Sequence, residues 1–223
     1  MIELFQITGS ASFAARMALE EAGAEYQEVN IHPRRRDEPA SFAEVNPLRR
    51  VPALREGAVT VYETGAVLLH IADRFPEREL GPAVGDPKRP ELYRWILWLA
   101  DTLHPGWGPI MRSATANPEN PAPPEIRVRG AAAMDANGAY LERELARGPW
   151  CLGELFSVAD LYLYMLAGWQ SYVEGGYQLG GENVRAHYER VGARPAVVRA
   201  RELDDLDERL LRHHPELRAG QPI

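Results

Sequence analysis

An α/β unit followed by an all-helical one is the fold class this sequence predicts, and three observations predict it. Strand and helix patterns alternate only as far as about residue 75. Residues 76–90 hold four prolines and two glycines in fifteen positions, the composition of a connector. Beyond them every periodic stretch has helical spacing. The expected division is therefore an α/β domain at 1–75, a linker at 76–87 and a helical domain at 88–223.

Within the first domain, "IELFQI" (2–7) reads as a buried strand that ends at Thr8-Gly9. "SASFAARMALEEAG" follows with Phe13, Met17 and Ala18 at helical spacing and Gly23 as its C-cap. "EYQEVNI" is a second strand, followed by the basic loop "RRR" (34–36), a short helix near "PASFAEV" and a turn at Asn46-Pro47. "VPALRE" and "VTVY" flank Gly57 as a hairpin, although Pro52 fits poorly at a strand start. "TGAVLLHIADRF" then puts Val67, Leu68, Ile71 and Phe75 on one helical face, giving the order β-α-β-α-β-β-α. In the second domain, helices are expected at "ELYRWILWLADTL", "EIRVRGAAAMDANGAYLERELA", "VADLYLYMLAGWQSYV", "NVRAHYERVG" and "AVVRARELDDLDERLL", with a proline-rich loop at 117–125.

Composition narrows the function classes. A chain of 223 residues with 45% hydrophobic and 26% charged residues can bury a large core, and it has no run near the roughly 18 apolar residues of a membrane span. The expectation is a soluble protein with no membrane partner. A net charge of -7 argues against nucleic acid as the partner, since phosphate backbones select basic surfaces. The N-terminus lacks a basic n-region and an apolar h-region, so the expected location is cytoplasmic. One cysteine, Cys151, and no zinc spacing predict neither a disulfide nor a metal.

Four stretches carry candidate chemistry. In "FSVAD", Ser157 and Asp160 have the spacing of a reciprocal capping box, with Phe156 and Leu161 as its staple, which makes Asp160 a folding residue rather than a catalytic acid. In "TLHPGWGPIM", Pro105 and Pro109 each remove an amide donor, so the helix is expected to bend or break beside His104 and Trp107. That histidine is either a satisfied packing residue or a group lining a pocket. Ser10 and Ser12 sit where strand passes to helix, where a hydroxyl caps amides or joins the helix terminus in stabilising an anion such as a thiolate. In "YET", Thr64 is expected to cap a helix with Glu63 just outside it, together a receptor for the carboxylate and ammonium of an α-amino acid. The arginines at 34–36 are either a solvated loop or a contact for a small anion.

Taken in order, "ALEEAG", "VNPLRRVPAL", "ETGAVLLHIADRF", "TLHPGWGPIM" and "GPWCLGELFSVADLYLYMLAGW" resemble the cytosolic glutathione transferase superfamily, and bacterial beta-type members most. The likeness runs from Ile2 to about Glu208. It implies a thioredoxin-like N-terminal domain that binds glutathione as co-substrate, without a metal, and a helical domain with an electrophile pocket. Pro52 then matches a cis-proline that presents Val51 to the cysteinyl unit of glutathione. Glu63 and Thr64 match the holders of its γ-glutamyl end, and Arg34 with Arg35 the contact to its glycine carboxylate. His104 matches a pocket histidine, joined by Trp107, Met111 and Tyr164. A homodimer is the usual assembly in this family.

The beta-type pattern places a cysteine where this chain has Ala11, so a mixed disulfide with glutathione cannot form there. Thiol activation then falls to a hydroxyl, with Ser12 ranked before Ser10. The expected activity is conjugation of the glutathione thiolate to an apolar electrophile. The alternatives are a glutathione-dependent disulfide reductase, an isomerase using Arg112, or a non-catalytic binding module.

Overall fold

The computed structural model describes residues 1–31, 39–112 and 120–204. The chain divides into two compact units, one of Met1–Gly85 with the segment from Ala193 onward, the other of Asp86–Gly192. This differs from the sequence reading at the C-terminal end. The helix Pro195–Asp204, expected in the helical domain, packs on the first helix of the N-terminal unit.

The first unit runs β1 (Ile2–Gln6), α1 (Ser12–Ala22), β2 (Tyr26–Asn30), α2 (Ala40–Val45), β3 (Ala53–Glu56), β4 (Val59–Tyr62) and α3 (Thr64–Arg74). Its sheet has the order β2-β1-β3-β4, with β1 parallel to β2 and antiparallel to β3, and β3 antiparallel to β4. Leu4 and Phe5 on the inner strand β1 are completely buried, in keeping with its reading as a buried strand. Phe42 and Val45 of α2 pack against Phe5, Ile31 and Ala53, with the Phe5 and Phe42 rings stacked at 5.5 Å. Gly23 ends α1 in the left-handed conformation, at φ 60°, as its place in the sequence predicts. Pro52 fits poorly in a strand because it lies just outside one: β3 starts at Ala53.

The second unit is helical: α4 (Arg89–Trp98), a π-helical turn (Leu99–Leu103), α5 (His104–Met111), α6 (Pro124–Leu145), α7 (Val158–Gly168) and α8 (Glu182–Gly192). The last helix, α9 (Pro195–Asp204), belongs with the first unit. Of the bend or break expected beside Pro105, the chain shows no break: a π-helical turn stands just ahead of it. The π turn loosens the backbone just ahead of the proline, so the missing amide falls at the start of α5 and the helical path continues from 89 to 111. Pro109 lies inside α5, where α6 approaches closely: a Cβ on Gly130 would stand 2.6 Å from the Pro109 ring. α7 is buried from Val158 to Ala167, which explains why its sequence is apolar apart from the capping Asp160 and two tyrosines.

Candidate functional site

Sheet register decides which segments can share a site. Phe5 pairs with Ala53 and Ala53 with Tyr62, while Gln6 pairs with Asn30 in the parallel ladder. The chain therefore leaves β1, enters β3, leaves β4 and leaves β2 at one end of the sheet. That end gathers the loop 7–11, the Val51-Pro52 pair and the Glu63-Thr64 junction. Four strands at about 4.8 Å spacing set these exits along roughly 14 Å, the scale of a short extended peptide. Arg34 and Arg35, expected in the loop after β2, lie outside the described residues.

The β1–α1 loop is organised around the backbone of Ile7. Its carbonyl accepts from the Ser10 amide at 3.1 Å, the Ser10 hydroxyl at 2.7 Å and the Ser12 hydroxyl at 3.0 Å, and its amide donates to Ser12 Oγ at 3.1 Å. The two hydroxyls lie 2.8 Å apart. Residues 7–10 thus form a turn with Gly9 at φ 67°, a conformation that a side chain would disfavour. The helix cap is Ala11, not either serine, and Ser10 Oγ instead accepts from the Ser12 amide at 3.3 Å.

This geometry sets the two serines apart. Ser12 is fully buried and its hydroxyl is committed to both polar groups of Ile7, so it shapes the loop and is not exposed to a ligand. Ser10 is only half-buried. If its proton turned toward a ligand, the Ile7 carbonyl would keep the Ser10 amide and the Ser12 hydroxyl as donors. Ser10 is therefore the hydroxyl that can be redirected without orphaning an acceptor.

The Val51-Pro52 peptide bond is cis, as the resemblance implied. Pro52 is buried, and Val51 packs partly against the cluster around Phe5. Asn46, almost fully buried, shapes the approach to this pair: its amide group donates to the Arg50 carbonyl at 2.7 Å and its side-chain oxygen accepts from the Leu48 amide at 2.9 Å. The sequence reading took Asn46-Pro47 only as a turn. The preference of asparagine for bonding the amide two residues on is the signal that points to its larger role.

At the start of α3 the roles are also exchanged. Glu63, rather than Thr64, occupies the cap position, and its carbonyl accepts the first helical bond, from Val67, at 2.9 Å. Glu63 has φ 74° and ψ 126°, a strained conformation for a residue with a side chain. Its carboxylate is exposed and makes no ion pair among the described residues, whereas Thr64 is buried. An unpaired acid held in a costly conformation beside helix amides can receive an ammonium and leave the amides for an anion.

In the second unit, His104 Nδ1 lies 2.8 Å from the Tyr162 hydroxyl, and Trp169 meets the imidazole edge-on at 4.9 Å. Burial lowers its pKa, favouring the neutral ring. The ring keeps some exposure, and so does Met111. Trp107 and Tyr164 do not: Trp107 is buried edge-on to Tyr177, and Tyr164 is stacked on Tyr188 at 4.4 Å. Of the four residues expected at a pocket, His104 and Met111 thus keep some exposure, while Trp107 and Tyr164 are packed in the interior. Arg112 is half-buried at the end of α5.

The capping box is present as expected. Asp160 Oδ2 accepts from the Ser157 amide at 2.8 Å, and Ser157 Oγ accepts from the Ala159 amide at 3.3 Å. The structure adds partners that spacing did not show: Asp160 Oδ1 accepts from the Cys151 amide at 2.7 Å and meets His187 Nε2 at 2.9 Å. Donor atoms of Cys151, Asp160 and His187 lie within 4.8 Å of one another, a grouping open to a metal by composition alone. Both oxygens of the Asp160 carboxylate carry hydrogen bonds, from the Cys151 and Ser157 amides and with the His187 ring. Burial first, and Asp160 second, push the Cys151 thiol well above the ordinary range, leaving it a packing residue.

Comparison with known proteins agrees with this architecture. Residues 1–73 match the family model for the glutathione S-transferase N-terminal domain. A sphingomonad glutathione S-transferase solved in complex with glutathione shares 32% identity, covers 92% of this chain and 99% of its own, and superposes with a TM-score of 0.78. The chain is 28% identical over 199 residues to glutathione S-transferase GstA of Escherichia coli, 88% of this chain and 95% of that one. It is 30% identical over 204 residues to the disulfide-bond oxidoreductase YghU of Escherichia coli, 83% of this chain and 66% of that one. The fold and these similarities define the class: the chain belongs to the cytosolic glutathione transferase superfamily. Within it, bacterial members are among the proteins it resembles. No helix among the described residues is long and apolar enough to cross a membrane.

Proposed function

We propose that this protein conjugates the thiolate of glutathione to an apolar electrophile. The observation that carries the reading is the common sheet end, where register gathers the Ser10 loop, Val51-Pro52 and the strained Glu63. Glutathione lies extended across that end. Its ammonium meets the Glu63 carboxylate, its γ-glutamyl carboxylate meets the α3 amides beside Thr64, and its cysteinyl unit pairs with the Val51 backbone. Arg34 and Arg35 take the glycine carboxylate.

The thiol needs a donor to ionise near neutral pH, because a free thiol titrates near 8.5. Ser10 turns its hydroxyl to the sulfur, Ser12 keeps the Ile7 carbonyl bonded, and the α1 terminus adds its dipole. The thiolate then attacks the electrophilic carbon, forming the C–S bond while the leaving group departs or a proton is taken up. His104, held through Nδ1 by Tyr162, presents a neutral ring to the electrophile, with Met111 as an apolar contact. A cytoplasmic homodimer is the form in which we expect this to occur.

The test is titration of the purified protein with reduced glutathione by calorimetry, then a conjugation assay with a generic aromatic electrophile. Binding with turnover is expected. Binding without turnover would favour a second reading, glutathione-dependent disulfide reduction, which the similarity to YghU supports. Ala11 removes one protein thiol from that chemistry but leaves glutathione's own sulfur.

A further inference from the structure

The loop carrying Ser10 is tied to a residue that neither spacing nor resemblance singled out. Asp204, in the last turn of α9, is buried, and its Oδ2 accepts from the Gly9 amide at 2.7 Å. Gly9 is the positive-φ corner of the turn, and its amide bonds Asp204 rather than the Ile7 hub that holds the serines. The same carboxylate lies 3.5 Å from the guanidinium of Arg16, one helical turn into α1. Arg16 is also buried and makes a two-pronged ion pair with Glu28 of β2, one arm at 2.9 Å. The loop is thus held at Ile7 by Ser12 and at Gly9 by Asp204.

We infer that Asp204 is a positioning residue for thiol activation, holding the Gly9 corner so that the Ser10 hydroxyl and the first α1 amides keep one geometry at the sheet end. Two observations carry this. A buried carboxylate bonding a backbone amide is costly unless paired, and Arg16 pairs it here. The amide it holds immediately precedes the proposed thiol-facing serine. The inference rests on the glutathione reading for its catalytic consequence, while the anchoring itself does not.

The test separates the two. Asp204→Ala and Asp204→Asn, in the full chain, are compared with the parent by peptide-resolved hydrogen exchange and by the ultraviolet absorbance of bound glutathione thiolate against pH. The alanine variant is expected to speed exchange in the peptide spanning 7–12 by about tenfold or more, since it removes a charge-assisted bond. It should also raise the pKa of the bound thiol. The asparagine variant retains an oxygen for Gly9 and should restore most of both, even if the alanine variant folds poorly. Unchanged exchange at 7–12 would overturn the anchor, and so would faster exchange spread evenly over the unit. Faster local exchange with an unmoved thiol pKa would overturn the positioning role. If the parent protein itself fails to lower the thiol pKa, the glutathione reading falls, and the positioning inference with it, while exchange still decides the anchor.

Discussion

Asp160 and Asp204 are two buried aspartates that each bond a backbone amide at the junction between a loop and a helix. Asp160 finds the Ser157 amide three residues away, whereas Asp204 finds that of Gly9 across 195 positions of sequence. The first closes a local motif and locks a helix start in place. The second joins the last described helix to the first loop and leaves that loop adjustable at one hydroxyl. Short-range bonds of the first kind specify the fold; long-range bonds of the second kind can tune a site.

The largest effect that would test this contrast is expected at Asp160. Asp160→Ala leaves the Cys151 and Ser157 amides and the His187 ring without their common acceptor, and should destabilise the protein by about 3–5 kcal/mol in urea unfolding. A loss below about 1 kcal/mol would mean that the capping box is dispensable and the comparison misdrawn.

The next effects separate the paired serines. Ser12→Ala removes a fully buried hydroxyl bonded to both polar groups of Ile7, and should cost about 1–3 kcal/mol of stability. Ser10→Ala should cost less stability and raise the pKa of bound glutathione more, read by thiolate absorbance. The reverse pattern would return Ser12 to first place as the activating hydroxyl.

How much of this was legible depended on range. The capping box and the Gly23 cap are short-range patterns, and both were readable from "FSVAD" and "EEAG". The β-α-β-α-β-β-α order was readable because apolar periodicity is local too. The strand order was not, since pairing of β1 with β3 joins residues some fifty positions apart. The cis bond at Pro52 came from resemblance alone, because most X-Pro bonds are trans. The difference in burial between Ser10 and Ser12 was hidden because both lie at the same strand-to-helix boundary, and only their bonding to the Ile7 backbone distinguishes them. The grouping of α9 with the first unit was hidden for a similar reason. Periodicity identified a helix but carried no information about its packing partner, and Arg194 with Glu21, 2.9 Å apart through one arm, supplies part of that docking.

At Glu63 stability and function should move in opposite directions. Glu63→Ala should weaken glutathione binding by about 1–3 kcal/mol through the lost ammonium partner. Glu63→Gly should weaken it similarly while relieving the positive-φ strain, raising stability by up to about 1 kcal/mol. A glycine variant that binds as tightly as the parent would remove the carboxylate from the site.

The smallest effect is expected at Glu142, whose role resembles Asp160's but at a more exposed place. Its carboxylate accepts from the amides of Gly181, Asn183 and Val184 at the start of α8. Burial pushes its pKa up, but the bonds from Val184, Asn183 and Gly181 outweigh that and hold it below the ordinary value. A carboxyl with a lowered folded pKa adds stability in full above its unfolded pKa, near 4.3, and loses it as pH falls through the folded value. Urea midpoints of the parent and Glu142→Gln should therefore differ at pH 7 and converge on acidification below about pH 4. If the gap persists at low pH, the carboxylate's charge contributes nothing, and α8 depends on packing alone at its first turn.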